Sequence, residues 1–399
     1  MTDKIHSAKT LIGYKLYRPG QIVMNRMQAW SGMFGAGTIH GMVSPDYAVF
    51  DVLGGHEIKL VLERLKTPDM VGQFALESKG IGSGFNRLYT DRFGPIPISL
   101  PPPKEQAAIV RFLDYANARL ERAIRAKRKV IALLNEQKQA IIHRTVTRGL
   151  DPTVPLKPSG IPWLGDIPKH WEVLRAKYLF REVDERSTSG NEELLSVSHI
   201  TGVTPRSQKN ITMFKAQSYV GHKICCPGDL VVNTMWAWMA ALGVSAHTGI
   251  ISPAYAVYRP REPDRIVGSF IDRLLRTRPY VSNIICRSTG VRSSRLRLYP
   301  DEFFQLPIIL PPASEQQQII QSITANTAEL NIAISGLERQ VELLKEYRTR
   351  LVADIVTGKL DVRSVASQLP NVTDTPQASP EIEDPSQDDE MEEAQLASN

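Results

Sequence analysis

The feature that most constrains this chain of 399 residues is that it repeats itself. Residues 19–50 match residues 227–258 without a gap, at 14 of 32 positions and an offset of 208. Residues 87–106 match residues 297–316 at 12 of 20 positions and an offset of 210. Self-similarity of this length is the signature of a duplicated structural module. We therefore expect one fold to occur twice, in a first and a second copy.

The first part of each copy has the pattern of a globular domain. Short runs of β-forming residues, such as DLVVN (229–233) and AYAVY (254–258), are separated by glycines and prolines. This punctuation is typical of an α+β domain with short strands. Stretches at 57–67 and 266–277 predict one helix at the same place in each copy. The pattern predicts two α+β globules with twisted mixed sheets.

The second part of each copy is a single long helix that follows a Pro-rich run. Pro103 suits the first turn of one helix, and Ser314 suits the N-cap of the other, with Gln317 completing a capping box. Gly149 and Gly358 suit the C-terminal stops. Each helix is expected to run for about 65 Å, at 1.5 Å per residue.

Apolar residues in both helices alternate at spacings of three and four, which predicts a coiled-coil seam. Net charges of +7 over 104–148 and −2 over 314–358 favour pairing of the two helices with each other. The pairing should be antiparallel, because a pseudo-twofold repeat within one chain places its copies head to tail. Packing of each helix on its own globule is the alternative. The expected seam, which leaves out Ile124 and Ile334 as partner-facing positions, consists of Ile109, Leu113, Ala116, Leu120, Ala123, Val130, Leu134 and Ile141, and of Ile319, Ile323, Leu330, Ala333, Leu337, Leu344 and Leu351.

The two copies are unequal in length. Nothing in the first copy matches residues 171–200, so its globule is expected to lack an N-terminal portion. Residues after 363 contain nine acidic residues, no Lys or Arg and no aromatic residue, which predicts a disordered acidic tail. The expected boundaries are a first globule at 1–102, a first helix at 103–149, a linker at 150–160, a second globule at 161–311, a second helix at 312–358 and the tail at 359–399.

Charge and composition point to a polyanionic partner. The first 363 residues carry a net charge of +15, which suits nucleic acid. The three cysteines lack the spacing of a metal or redox site. No signal sequence or transmembrane helix is expected, so we expect a cytoplasmic protein without a membrane role.

Catalytic signatures are missing from the sequence. It contains no phosphate-binding P-loop, no GxSxG and no HExxH, and its eight histidines lack ligand spacing. We therefore expect no catalytic centre and no metal site, and a chain that is not an enzyme.

Arginines, hydroxyls and amides that could contact phosphates or base edges cluster at equivalent positions in the two copies. Trp236 and Trp238 stand two apart, as on one face of a strand, and could stack on an extruded base or pack in the core. The candidate DNA-binding residues are Arg287, Ser288, Thr289, Arg292, Ser293, Arg295, Gln217, Thr234 and Trp236 in the second copy, and Lys79, Ser83, Asn86, Arg87, Arg26 and Gln28 in the first.

Several blocks together resemble the specificity subunits of type I restriction-modification enzymes. They are GDIPKHWEVLRAKYLF (165–180), PGDLVVNTMWAWMAALGV (227–244), LPPASEQQQII (310–320) with LPPPKEQAAIV (100–110), and VTGKLDVR (356–363). The resemblance covers nearly all of residues 10–363, and the short first globule departs from it.

The resemblance implies two target-recognition domains separated by an antiparallel coiled coil, with each domain reading one half of a bipartite site on double-stranded DNA. It implies assembly with two methyltransferase subunits and with restriction subunits. These partners, rather than this chain, would use S-adenosylmethionine, ATP and Mg²⁺. The remaining alternatives are a helical scaffold or assembly protein, and a half-inactive remnant of a specificity subunit.

Overall fold

The computed structural model describes residues 11–80, 86–208, 218–290 and 296–369. Its internal contacts divide the described chain into two compact units. Unit one comprises residues 11–130 and 336–369, and unit two comprises residues 131–335. Each unit therefore combines one globular copy of the repeat with part of both long helices.

Unit one is built around a three-stranded antiparallel sheet. Its elements are β1 (Lys15–Tyr17), β2 (Gln21–Asn25), β3 (Phe34–Ala36), β4 (Gly41–Val43), β5 (Tyr47–Asp51), α1 (Ile58–Leu65), α2 (Pro68–Glu77) and α3 (Thr90–Phe93). The sheet has the order β3-β2-β5, and β1 pairs with β4 in a separate ladder. Strand β5 is thus an edge strand.

Side-chain alternation gives the unit-one sheet two different faces. Ile22 and Met24 on β2 are buried in a core with residues of α1 and α2. Val23, between them, and Val49 on β5 point to the other face and are only half-buried. Helices therefore cover one face of this sheet.

Unit two contains the same elements and several more. Its elements are β6 (Leu156–Pro158), β7 (Asp166–Pro168), β8 (Glu172–Arg175), α5 (Ala176–Leu179), β9 (Phe180–Val183), β10 (Leu195–Ser198), β11 (Gly202–Pro205), β12 (Lys223–Cys225), β13 (Leu230–Val232), β14 (Leu242–Val244), β15 (Gly249–Ile251), β16 (Ala256–Pro260), α6 (Gly268–Leu275), α7 (Arg278–Arg287), α8 (Pro300–Phe304) and β17 (Pro307–Leu310). A short helix, α10 (Arg363–Ala366), completes unit one. The helices expected at 57–67 and 266–277 are confirmed as α1 and α6.

The main sheet of unit two has four antiparallel strands in the order β14-β13-β16-β9. Antiparallel ladders also join β17 to β8 and β10 to β11. The predicted mixed sheets are wrong for the named strands, which all pair antiparallel among the described residues. The parallel contact there is the isolated bridge Leu194–Ile250. Antiparallel pairing follows because strands joined by short connections become antiparallel neighbours.

The two long helices are α4 (Pro103–Arg148) and α9 (Ala313–Val356), and the predicted antiparallel pairing is confirmed within each unit. In unit one, Lys127 Nζ donates to Gln340 Oε1 at 2.6 Å, and Arg348 pairs with Glu121. In unit two, Lys138 Nζ donates to Asn331 Oδ1 at 2.7 Å. Residues with higher numbers in α4 thus contact residues with lower numbers in α9, as antiparallel helices require.

The seam differs in part from the predicted one. Ile124 and Ile334, expected to face partners, are buried at 4% and 8% exposure, whereas Val130 is 44% exposed. The spacing rule alone left the choice between neighbouring apolar positions open, and packing selects those that keep a buried row along each helix. Polar substitutions at Ile124 and Ile334 would therefore disturb the helix pair itself.

A buried glutamine fixes the start of each long helix to its globule. Gln106 is fully buried, accepts from Glu57 N at 2.7 Å and donates to Pro101 O at 2.6 Å. Gln316 does the same with Val267 N at 2.8 Å and Pro311 O at 2.8 Å. Helix α9 begins at Ala313, so Ser314 lies within the first turn rather than at the predicted N-cap. Gly149 and Gly358 have the expected positive φ of 76° and 78°.

Within the ranges that the structure describes, no helix combines the length and apolar character needed to cross a membrane.

Candidate nucleic-acid interface

Two of the predicted contact residues of unit two, Thr234 and Thr289, lie at one place with Arg297, beside positions 291–295. Thr289 and Arg297 pair through their backbones, with N–O distances of 3.0 and 2.9 Å. The next residue, Leu298, donates its N–H to the carbonyl of Thr234 at 2.9 Å. The hydroxyl of Thr234 in turn donates to Ala254 O at 2.9 Å. The fold thus brings Thr234 next to the ends of a segment more than fifty residues away in sequence.

Trp236 is the N-cap of a 3-10 turn and does not lie on the predicted strand. The turn covers Ala237–Met239, and the rings of Trp236 and Trp238 stack with centroids 5.8 Å apart and an interplanar angle of 17°. The indole of Trp238 donates to Met235 O at 2.9 Å, and Trp236 is 8% exposed. A turn replaces the strand because residues 233–241 close a loop of backbone hydrogen bonds between β13 and β14.

Two of the predicted contact residues already have partners in the structure. The guanidinium of Arg287 donates to Asn283 Oδ1 at 2.8 Å and to Glu302 Oε2 at 3.2 Å. The Ser288 hydroxyl is buried and donates to Ile284 O at 2.8 Å. These bonds fix the end of α7, from which the candidate segment departs.

Unit one has the same arrangement with different side chains. Lys79 and Arg87 pair through their backbones at 3.0 and 2.9 Å, and Leu88 donates its N–H to Arg26 O at 2.9 Å. The guanidinium of Arg26 donates to the carbonyl oxygens of Pro45 and Asp46, at 2.7 and 2.9 Å. The exposed Gln28, which caps the equivalent 3-10 turn, accepts from Asn25 Nδ2 at 3.1 Å, and Asn86 is half-buried beside Arg87.

The electrostatic setting of the shared arginine differs between the units. Arg87 lies 3.4 Å from the carboxylate of Asp46, which also approaches Arg26. The residue equivalent to Asp46 in unit two is Ala254, and the Arg297 guanidinium has no acidic partner among the described residues. Asp46 was not among the residues predicted from sequence, although a charge in SPDYAVF that is absent from SPAYAVY indicates it.

Five of the predicted residues lie outside the described ranges, namely Ser83, Gln217, Arg292, Ser293 and Arg295. Among the residues that are described, no group of three His, Cys, Asp or Glu side chains could hold a metal ion.

One comparison with solved structures supports this fold. Among solved structures, the chain is similar to one from a study of complex assembly and conformational transition of the type I R-M system, with 15% identity, a TM-score of 0.59, and coverage of 88% of this chain and 85% of that one. Two further similarities are to the HsdS subunit from Thermoanaerobacter tengcongensis (16% identity, TM-score 0.39, coverage 87% and 83%) and to the type I restriction-modification system S subunit from M. genitalium (11% identity, TM-score 0.35, coverage 86% and 84%). No curated protein sequence matches the chain.

A sequence-family comparison matches one segment of unit one directly. The model of the type I restriction modification DNA specificity domain matches residues 62–128. These residues include Lys79 and Arg87, the buried Gln106 and the first half of α4. This match lies within the first copy of the repeat, and it confirms the resemblance inferred from the repeated motifs.

Proposed function

We propose that this chain is the sequence-specific DNA-binding subunit of a type I restriction-modification complex, and that each unit reads one half of a bipartite site. The observation that carries the proposal is the repetition of one surface. In both units a backbone pair, Lys79–Arg87 or Thr289–Arg297, stands beside a 3-10 turn and carries a cation of the same type. Two similar DNA contacts require a backbone framework that is repeated together with its basic group.

The side chains that vary on this framework support reading of two different sequences. Arg26 and Gln28 of unit one correspond to Thr234 and Trp236 of unit two, and Lys79 corresponds to Thr289. Arginine, glutamine and threonine differ in the base edges that they can bind. Arg87 and Arg297, which do not vary, are better suited to phosphate contacts, which position a protein without selecting sequence.

The proposal assigns catalysis to partner subunits. Methyltransferase subunits would use S-adenosylmethionine to methylate adenine, and restriction subunits would use ATP and Mg²⁺ to translocate and cut DNA. This chain would bind none of these cofactors itself and would supply the two DNA-reading units. The paired helices α4 and α9 would provide the surface on which the methyltransferase subunits assemble.

The broadest test is to sequence methylated adenines in a host with and without the gene. A split motif with a non-specific gap should be methylated when the gene is present and unmethylated when it is deleted. Identical methylomes in the two strains would contradict the proposal.

A sharper test uses single arginines of unit two. Arg292→Ala or Arg295→Ala should weaken binding of the assembled complex to the cognate half-site by about 1–3 kcal/mol and leave the other half-site unaffected. Arg273→Ala, which removes an exposed arginine on α6, is the matched control and should change neither. Binding is measured on DNAs mutated in each half-site at several salt concentrations. A uniform loss on all DNAs would indicate a phosphate contact, and an unchanged profile would remove this segment from the interface.

A further inference from the structure

A tyrosine follows the shared arginine at the same distance in both units. Tyr89 comes two residues after Arg87, and Tyr299 comes two residues after Arg297. Tyr89 is 42% exposed and Tyr299 is 50% exposed. Packing in a core therefore does not account for either side chain, although tyrosine is an aromatic residue that usually buries most of its ring.

The leucine between arginine and tyrosine fixes the direction of both side chains. Leu88 and Leu298 are buried, and each donates its backbone N–H to a carbonyl oxygen at 2.9 Å. The backbone is extended at Tyr89 (φ −80°, ψ 155°) and at Tyr299 (φ −83°, ψ 154°). Because side chains alternate along an extended segment, the arginine and the tyrosine of each unit point to the same side, away from the core.

The local backbone does not explain the tyrosines either. Each one occupies the N-cap position of a short helix, α3 or α8, where Ser, Thr, Asp or Asn is favoured because its side-chain oxygen accepts from a free backbone N–H. Neither tyrosine makes such a capping bond. Neither phenol has a hydrogen bond or ring contact with another residue that the structure describes.

Two other positions in this repeated stretch are both identical and exposed in the two units, and local structure explains them. Asp91 and Asp301 lie in the first turn of α3 and α8, where a negative charge is favourable. Pro102 and Pro312 stand directly before the long helices, where the fixed φ of proline suits the start of a helix. The tyrosines are thus the exposed identity that the fold leaves without a role.

An exposed phenol beside a guanidinium suits the DNA backbone. A tyrosine hydroxyl can donate to a phosphate oxygen, and tyrosine is among the side chains that make phosphate contacts without reading sequence. Alternate residues of an extended segment are about 6.6 Å apart. From that spacing the long side chains of Arg297 and Tyr299 can reach phosphates of one strand, which succeed one another at about 3.4 Å along the DNA axis.

We propose that Tyr89 and Tyr299 hold the DNA backbone, each donating its hydroxyl to a phosphate of the strand that the arginine of its own unit binds. This inference rests on the proposed function and adds to it a contact that is the same in both units. The contact selects no base sequence. It also differs in kind from the arginine contact, because a neutral hydroxyl displaces no counterion from the DNA.

The two units are expected to differ in the arginine contribution and to agree in the tyrosine contribution. Arg87 has to leave the carboxylate of Asp46, 3.4 Å away, to bind a phosphate. Arg297 has no acidic partner to leave among the described residues. Arg297→Ala should therefore weaken DNA binding more than Arg87→Ala does. The phenols give up no described partner in either unit, so their losses should be equal.

The test measures binding of the assembled complex to duplexes that carry the split site found in the methylome. Tyr299→Phe removes the hydroxyl and keeps the ring, and it should weaken binding about tenfold on cognate and mutated duplexes alike. Tyr89→Phe should cause the same loss. Both should keep the salt dependence of the parent, whereas Arg297→Ala should flatten the slope by roughly one unit. Tyr178→Phe, at a phenol that is 59% exposed, is the matched control and should bind as the parent does.

Methylphosphonate substitution locates the contact on the DNA. Replacing one phosphate at a time should weaken binding of the parent at the phosphate that Tyr299 contacts. At that phosphate the same replacement should cost Tyr299→Phe at least threefold less, because its hydrogen bond is already gone, and elsewhere the two losses should multiply.

Several results would overturn the inference and leave the proposed function standing. They are Phe variants that bind as the parent does, losses that multiply at every phosphate, and normal DNA binding combined with weaker assembly with the methyltransferase subunits. The last result would make the phenols protein contacts. A parent complex that shows no preference for the split site would instead overturn the proposed function, and this inference with it.

Discussion

Units one and two share a strand core and a helical cover, but the second face of the sheet is buried in unit two and only half-buried among the described residues of unit one. The shared part is the part that both copies encode, from β2 to β5 and from β13 to β16. Among the described residues, the difference comes from residues 172–205, which supply β8 to β11 of unit two. Two sheets with the same register can therefore differ in stability through one added segment, because covering a second apolar face removes more apolar surface from water.

The largest contrast is expected for truncations on this second face. Ile251→Ala should lower the free energy of unfolding of unit two by about 2–5 kcal/mol, because it opens a cavity at a fully buried side chain of this face. Val43→Ala, at the equivalent and half-buried position, should cost unit one less than about 1 kcal/mol. Hydrogen exchange resolved by unit measures both in the full chain. Equal losses in the two units would mean that the face of unit one is covered in solution.

Thiol reactivity reports the same contrast without unfolding the protein. Burial raises the pKa of the Cys225 thiol to about 11, so at pH 8 this side chain is protonated and shielded. In a background of Cys226→Ser and Cys286→Ser, Tyr17→Cys places a thiol at the equivalent position of unit one. We expect the new thiol to react with iodoacetamide about a hundredfold faster than Cys225. Labelling of Cys225 should accelerate as the pH rises toward 11, and similar rates at pH 8 would remove the contrast between the faces.

The buried glutamines test the part in which the units agree. Gln106→Leu and Gln316→Leu each leave a buried N–H, that of Glu57 or Val267, without its acceptor. Each change should cost about 1–3 kcal/mol of stability in its own unit. Unit-resolved hydrogen exchange should give similar losses in the two units, because both glutamines make the same two hydrogen bonds. A loss confined to unit one would mean that in unit two residues 172–205, rather than Gln316, fix the helix to the globule.

The repeat predicted most of the architecture, because duplication makes one copy a template for the other. The antiparallel helices, the terminal glycines and the helices α1 and α6 all followed from sequence alone. The burial of Ile124 and the 3-10 turn at Trp236 did not follow, since neighbouring apolar positions are equivalent to a spacing rule and a two-residue spacing fits a turn as well as a strand. Gln106 and Gln316 belong to a Glu-Gln pair that is identical in both copies, but only the fold shows that they are buried.

The smallest contrast concerns the helix seam, where unit one has an ion pair and unit two a neutral acceptor. Glu121 and Arg348 pair across α4 and α9 with about 40% of each side chain exposed, while Lys138 donates to the amide oxygen of Asn331. An exposed ion pair contributes about 0.2–1 kcal/mol and is screened by salt. Arg348→Met should therefore destabilise unit one by this amount at low ionic strength and by much less in 1 M salt, where the Debye length is about 3 Å. Lys138→Met should have an effect in unit two that salt leaves nearly unchanged, because its partner carries no charge. A double-mutant cycle with Glu121→Gln isolates the pair energy, and a salt-independent coupling would show that packing of the aliphatic stems holds this part of the seam together.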